Sequence, residues 1–112
     1  MIVKKSKRVQ HANAATCIAY EYGLGDKDID VAYIKIDGRY PEKGRTLNRK
    51  SKEVIFVIDG KGIVEIDGNV FDMEEGDSIL IQPNQKFFFD GKLKIVVCCN
   101  PAWDPKQYEF VD

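Results

Sequence analysis

The chain has 112 residues, 44% of them hydrophobic, and a formal net charge of −1 from 17 basic and 18 acidic side chains. That length holds one core, so a single domain over residues 1–112 is expected, and the hydrophobic share excludes a disordered chain. Interspersed charges of both signs give no pull toward nucleic acid, and no apolar run nears the roughly 20 residues that span a bilayer.

Three cysteines, two of them adjacent, do not make a disulfide framework, so a reducing cytoplasm is the expected compartment. Side chains alternate along a strand, so Cys98 and Cys99 face opposite sides and cannot chelate as a pair. The inward one is expected to pack as a small hydrophobe.

Residues 1–14 read as an N-terminal arm or strand. Met1-Ile2-Val3 is followed at once by lysines, so no secretory leader is expected. The basic cluster Lys4–Arg8 reads as a solvated terminus. His11, the lone histidine, is expected on the surface or against a strand. Thr16–Tyr22 reads as a strand and Gly23–Asp26 as a turn. Asp30–Asp37 alternates, with Ala32, Ile34 and Ile36 on one face and Val31, Tyr33 and Lys35 on the other. A Gly/Pro-containing loop, Gly38–Gly44, carries Tyr40. Thr46–Asn48 is a short extended piece, and Arg49–Lys52 a charged connection.

Glu53–Gly62, EVIFVIDGKG, opens as a β-branched and aromatic strand. Asp59-Gly60 and Lys61-Gly62 are then expected to turn a hairpin into Ile63–Asp67. Asp67-Gly68-Asn69 turns the chain into Val70–Asp72, and Glu75-Gly76-Asp77 turns it into Ser78–Gln82. Pro83-Asn84 stops that strand. Phe87-Phe88-Phe89 is β-prone, with Phe87 and Phe89 on one face. Asp90-Gly91 is expected to turn into the last long strand, Lys92–Cys99. The tail, 100–112, is expected to pack on the domain as an extended or short helical cap. No amphipathic helix of ten residues is present. Nine or ten short strands with regular turn signals describe an all-β sandwich or barrel.

EVIFVIDGKG followed by EEGDSILIQP (Glu74–Pro83) resembles the two signature blocks of the cupin superfamily. Glu53 and Gly60 keep the Glu-six-Gly spacing of the first block, and Gly76-Asp77, Ser78–Ile81 and Pro83 follow the second. The resemblance implies a small double-stranded β-helix, or jelly-roll barrel. It also implies where metal ligands would stand. The His-x-His pair falls on Thr46 and Asn48, and the second-block histidine on Phe87, so only the carboxylate is kept. Imidazole and thiolate are the usual ligands for the transition metals of such sites. No metal or other cofactor is therefore expected.

At the cupin position Glu53 would point into the barrel, where an ionised carboxylate is costly unless paired or hydrogen-bonded. Asn48 and Thr46 could bond it, and Lys35, Arg45 or Arg49 could supply charge. Without them its pKa should rise. Two roles stay open: a carboxylate that ties strands together, or a ligand anchor and general acid/base. Phe87 and Phe89 either fill the core or form a stacking platform. Tyr40 stands near the same mouth, and Trp103 and Tyr108 either lid the pocket or pin the tail. The expected function is binding of a small polar ligand, a sugar or carboxylate, by Tyr40, Thr46, Asn48, Glu53, Phe87, Phe89 and Trp103. One alternative is a cofactor-independent sugar isomerase or epimerase with Glu53 as the catalytic acid/base. Another is an interaction module whose barrel is plugged by its aromatics. A homodimer is expected, because two-fold dimers are the commonest closed assembly and exposed barrel edges favour strand exchange or pairing by the N-terminal segment.

Overall fold

The computed structural model describes residues 1–112. Nine strands form: β1 (Val9–Ala14), β2 (Cys17–Tyr22), β3 (Asp30–Tyr40), β4 (Arg45–Asn48), β5 (Lys52–Ile66), β6 (Asn69–Glu74), β7 (Ser78–Ile81), β8 (Phe87–Asn100) and β9 (Tyr108–Val111). Single turns of 3-10 helix lie at Lys5–Lys7 and Pro105–Gln107. No helix is long and apolar enough to cross a membrane.

All pairings are antiparallel, and β8 runs through the middle of the one sheet. It pairs β3 on one side and β5 on the other over most of its length. β3 carries β2 and then β1. β5 carries β7 along its first half and β6 along its second. β4 joins the start of β8 to β9. The sheet curls into the jelly-roll barrel expected of the sequence.

Strand alternation builds the interior. β8 turns Phe87, Phe89, Leu93, Ile95, Val97 and Cys99 inward. β5 turns Ile55 and Val57 inward, then Val64 and Ile66. The switch from odd to even positions follows a register shift between Val57 and Asp59, where one extra residue moves every later side chain to the opposite face. Ile55, Val57 and Val64 have no residual exposure. Burying each stabilises the fold by about 1.5–3 kcal/mol.

The hairpin expected at Asp59–Gly62 does not form, and neither does the turn expected at Asp90-Gly91. Both segments lie inside long strands that bend across each other, with Gly60 paired to Leu93 and Gly62 to Gly91. The glycines serve close approach rather than chain reversal. A Cβ on Gly60 would lie 2.0 Å from the Lys92 carbonyl oxygen, and one on Gly91 would lie 2.5 Å from Gly62 Cα. Turn chemistry was present in the sequence, but tertiary pairing used it for a corner. The true reversal after β5 is Asp67-Gly68, both at positive φ (+47° and +86°), which suits a two-residue hairpin. The arm at residues 1–14 contains β1, and the tail contains β9.

Candidate functional site

Inward alternation on β2, β3, β5 and β8 leaves a space that the side chains do not fill. It is a cavity of about 130 Å³, partly open to solvent, and fifteen of its nineteen lining residues are hydrophobic. The polar exceptions are Asn13, Glu21, Asp30 and Glu53. Phe87 and Phe89 meet edge to face there with centroids 5.6 Å apart. Tyr40, Trp103 and Tyr108 complete the aromatic wall.

Glu53 is only 8% exposed. Its Oε1 accepts from the Asn48 side-chain amide. Oε2 has no protein donor; because no fully buried side-chain oxygen lacks a partner, it opens to the cavity. Burial pushes the Glu53 carboxyl up to about 7, against the pull of the Asn48 hydrogen bond and with the Asp30 carboxylate adding to the rise. None of the basic side chains considered as partners reaches it. Arg45 pairs with Glu65 at 2.5 Å and Arg49 with Glu109 at 2.6 Å. Lys35 sits over the Tyr20 ring.

The tail positions the site. Trp103 donates its indole N–H to Asn48 Oδ1 at 2.9 Å, and its backbone N–H to Asp30 Oδ2 at 2.8 Å. Gln107 is buried and anchors the tail, accepting from the backbone N–H groups of Lys50 and Ser51 and donating to Ser51 Oγ. The Tyr40 and Tyr108 hydroxyls bond each other at 2.7 Å. Burial raises Tyr40 to about 12 and Cys17 to about 11, and lifts Tyr108 and Cys99 further. These groups are neutral donors at neutral pH, while Glu53 is poised to change charge.

The sequence of residues 36–96, more than half the chain, matches the profile of the cupin domain. The chain belongs to the cupin family. Among curated sequences, an uncharacterised protein of Methanocaldococcus jannaschii is 27% identical over 79 residues, covering 64% of this cupin and 63% of that relative's own length. Among solved structures, the Streptomyces nucleoside dehydratase Pac13 superposes with a TM-score of 0.88 at 16% identity, covering 100% of this chain and 93% of that one. A Planctomyces limnophilus protein gives 0.84 at 18% identity, covering 98% and 96%. Ectoine synthase from P. lautus gives 0.72 at 18% identity, covering 100% and 91%. At these identities the likeness is one of fold.

The cupin metal does not fit these residues. Thr46 is fully buried and gives its hydroxyl proton to the Glu109 carbonyl at 2.9 Å, on the side of β9. The Asn48 carboxamide is engaged at both ends, by Trp103 and Glu53. Phe87 offers no donor atom. No three His, Cys, Asp or Glu side chains converge closely enough to hold a metal ion.

Of the residues expected to meet a ligand, the fold brings Tyr40, Glu53, Phe87, Phe89 and Trp103 to the one cavity. Thr46 and Asn48 stand behind its wall, Asn48 reaching the cavity only through Glu53. Asp30, Glu21, Cys17 and Cys99 also line it, and none was singled out as a site residue. For Asp30 a signal existed: it shares the alternation of Ala32, Ile34 and Ile36. His11 is exposed on β1 and is not part of the lining.

Proposed function

We propose that this cupin binds a small organic molecule in its barrel, with the ligand's polar group on Glu53 and its body against Phe87 and Phe89. The observation that carries this reading is the free Glu53 Oε2, facing an apolar cavity from a buried side chain. A carboxyl oxygen without a protein partner has lone pairs free to accept from a donor that enters the cavity. The cavity argues against the aromatic plug, since Phe87 and Phe89 leave open space beside the carboxyl. It also argues against a carboxylate ligand, because no Lys, Arg or His lines it. Three unpaired cysteines suit a reducing compartment.

The test is a thermal-shift screen of sugars, nucleosides, amines and organic acids near pH 7. A ligand present at 100 times its Kd should stabilise by about 2.7 kcal/mol. The expected hit stabilises the native chain and loses that effect in Glu53→Gln. Binding that ignores Glu53→Gln would overturn the reading.

A second reading is acid/base catalysis. Glu53 near 7 shares the cavity with the neutral Tyr40–Tyr108 hydroxyl pair, which is the second proton-transfer group such chemistry requires. Pac13, of like fold, is a nucleoside dehydratase. Incubating a screened ligand with the protein in D2O tests it: catalysis predicts deuterium entering a C–H position or a new product, and loss of both in Glu53→Gln.

A further inference from the structure

We propose that the ligand is an organic cation, an amine or ammonium compound with a compact hydrophobic body, its nitrogen on Glu53 and its body within the aromatic wall. This rests on the reading that the barrel binds a small molecule, and names the class of molecule.

Charge is the first argument. Three carboxylates line the cavity, Glu21, Asp30 and Glu53, and no basic side chain does. None of the three is in an ion pair; every pair in the molecule, Arg45–Glu65, Arg49–Glu109 and Lys94–Asp59, lies elsewhere. Arg8 approaches from the outer side but is engaged by the Tyr22 hydroxyl and the Tyr20 ring. Asp30 accepts two backbone N–H groups, from Cys99 and Trp103, which hold its charge in place without cancelling it. The field in the cavity is therefore negative, and low-dielectric walls strengthen it.

The wall is the second, independent argument. Tyr40, Phe87, Phe89, Trp103 and Tyr108 line the cavity together with Glu53, Phe87 meeting Phe89 and Trp103 meeting Tyr108 edge to face. Aromatic faces attract cations, most strongly where water is excluded. Glu53 is more than nine-tenths buried, its Oε1 is fixed by Asn48 and its Oε2 has no protein partner, so it is positioned to accept from an entering donor.

A compact inorganic cation is disfavoured by the same geometry. The carboxylates do not converge as metal ligands, and most of the wall has no donor atom. A cation that spreads its contacts over an ammonium group and an apolar body uses both features.

The test compares three probes of one shape: benzylamine, benzyl alcohol and benzoate, titrated by calorimetry against the intact protein at pH 7.5. Benzylamine should bind at least about tenfold more tightly than benzyl alcohol, and benzoate should not bind. Glu53→Gln should remove that preference, and Glu21→Gln, at an exposed rim position, should weaken benzylamine alone. Chemical-shift changes should centre on the Trp103 indole and the Glu53 carboxyl. If benzyl alcohol or benzoate binds as well as benzylamine, the cation assignment is overturned and barrel binding stands. If no probe binds, the cation assignment is likewise overturned, while the broader screen decides barrel binding separately.

Discussion

Trp103 donates its indole N–H to the Asn48 carboxamide oxygen at 2.9 Å. An indole nitrogen can only donate, so it selects one orientation of the amide and leaves the Asn48 NH2 facing Glu53. Trp103→Phe keeps the apolar bulk and removes that lock. The amide is then free to turn its oxygen toward the protonated carboxyl and accept its O–H, which favours the neutral form. The Glu53 pKa should move above its value of about 7, read from its carboxyl carbon shift by NMR. Stability should fall by about 1 kcal/mol, one hydrogen bond. An unmoved Glu53 titration would show that the lock does not govern it.

Glu53 also makes stability depend on pH in a definite direction. Its carboxyl is raised by burial from an ordinary value of 4.5 to about 7. Folding therefore favours the protonated form. The contribution is complete below about 4.5 and is lost as pH rises through 7. The shift corresponds to about 3 kcal/mol between those limits. Urea midpoints of the native chain, minus those of Glu53→Gln, should fall across that window and flatten above it. Above pH 8 the Gln variant should be the more stable of the two. A flat difference would mean that the carboxyl is neither buried nor desolvated as described.

The β5–β8 corner gives a steric prediction. Gly91 has φ +140°, and a Cβ there would meet Gly62 Cα at 2.5 Å and the Lys61 carbonyl oxygen at 2.6 Å. Gly68 has φ +86° but open space around it. Both alanine variants incur backbone strain of about 1–3 kcal/mol. Only Gly91→Ala must also push two backbones apart. It should cost at least about 3 kcal/mol, or fail to accumulate as folded protein, while Gly68→Ala folds normally. Equal urea midpoints for the two variants would remove close approach as the reason for glycine at the corner.

This corner also shows what the sequence could and could not tell. Asp59-Gly60 and Asp90-Gly91 carry hairpin chemistry, and nothing local says that the two stretches lie against each other. The split of Phe87 and Phe89 from Phe88 followed from alternation alone, whereas the continuity of β8 through Asp90-Gly91 did not. The likeness to cupins located Glu53 and its neighbour Asn48. It could not locate Trp103 on Asn48, because that contact spans 55 positions and depends on how the tail packs. Thr46 was expected to help bind ligand, yet its hydroxyl is turned to Glu109 by the β4–β9 pairing, which spans 63 positions. Local pattern fixes which face a side chain takes. Long-range pairing decides what it meets there.

The outer face of the barrel carries the last prediction. On an antiparallel sheet with one face in water, outward positions are normally polar. Here Val54, Phe56 and Ile58 on β5 and Leu80 on β7 point outward and are 40–51% exposed. Val54 lies directly across from Leu80 and Cys98, and Phe56 across from Val96, so these residues form a continuous apolar surface. A shallow depression bounded by Val31, Tyr33, Ile58 and Val96 extends it. We propose that a second copy of the chain covers this face, so that a homodimer forms through the outer sheet face and not through the barrel edge or N-terminal segment expected from the sequence. A stable two-fold dimer needs about 800 Å² from each partner, so the apolar row must form the centre of a wider interface. Phe56→Lys with Leu80→Lys places two charges at that centre. Sedimentation velocity should give a dimer for the native chain and a folded monomer for the double variant. A native chain that sediments as a monomer at high micromolar concentration would exclude this face as a self-association surface.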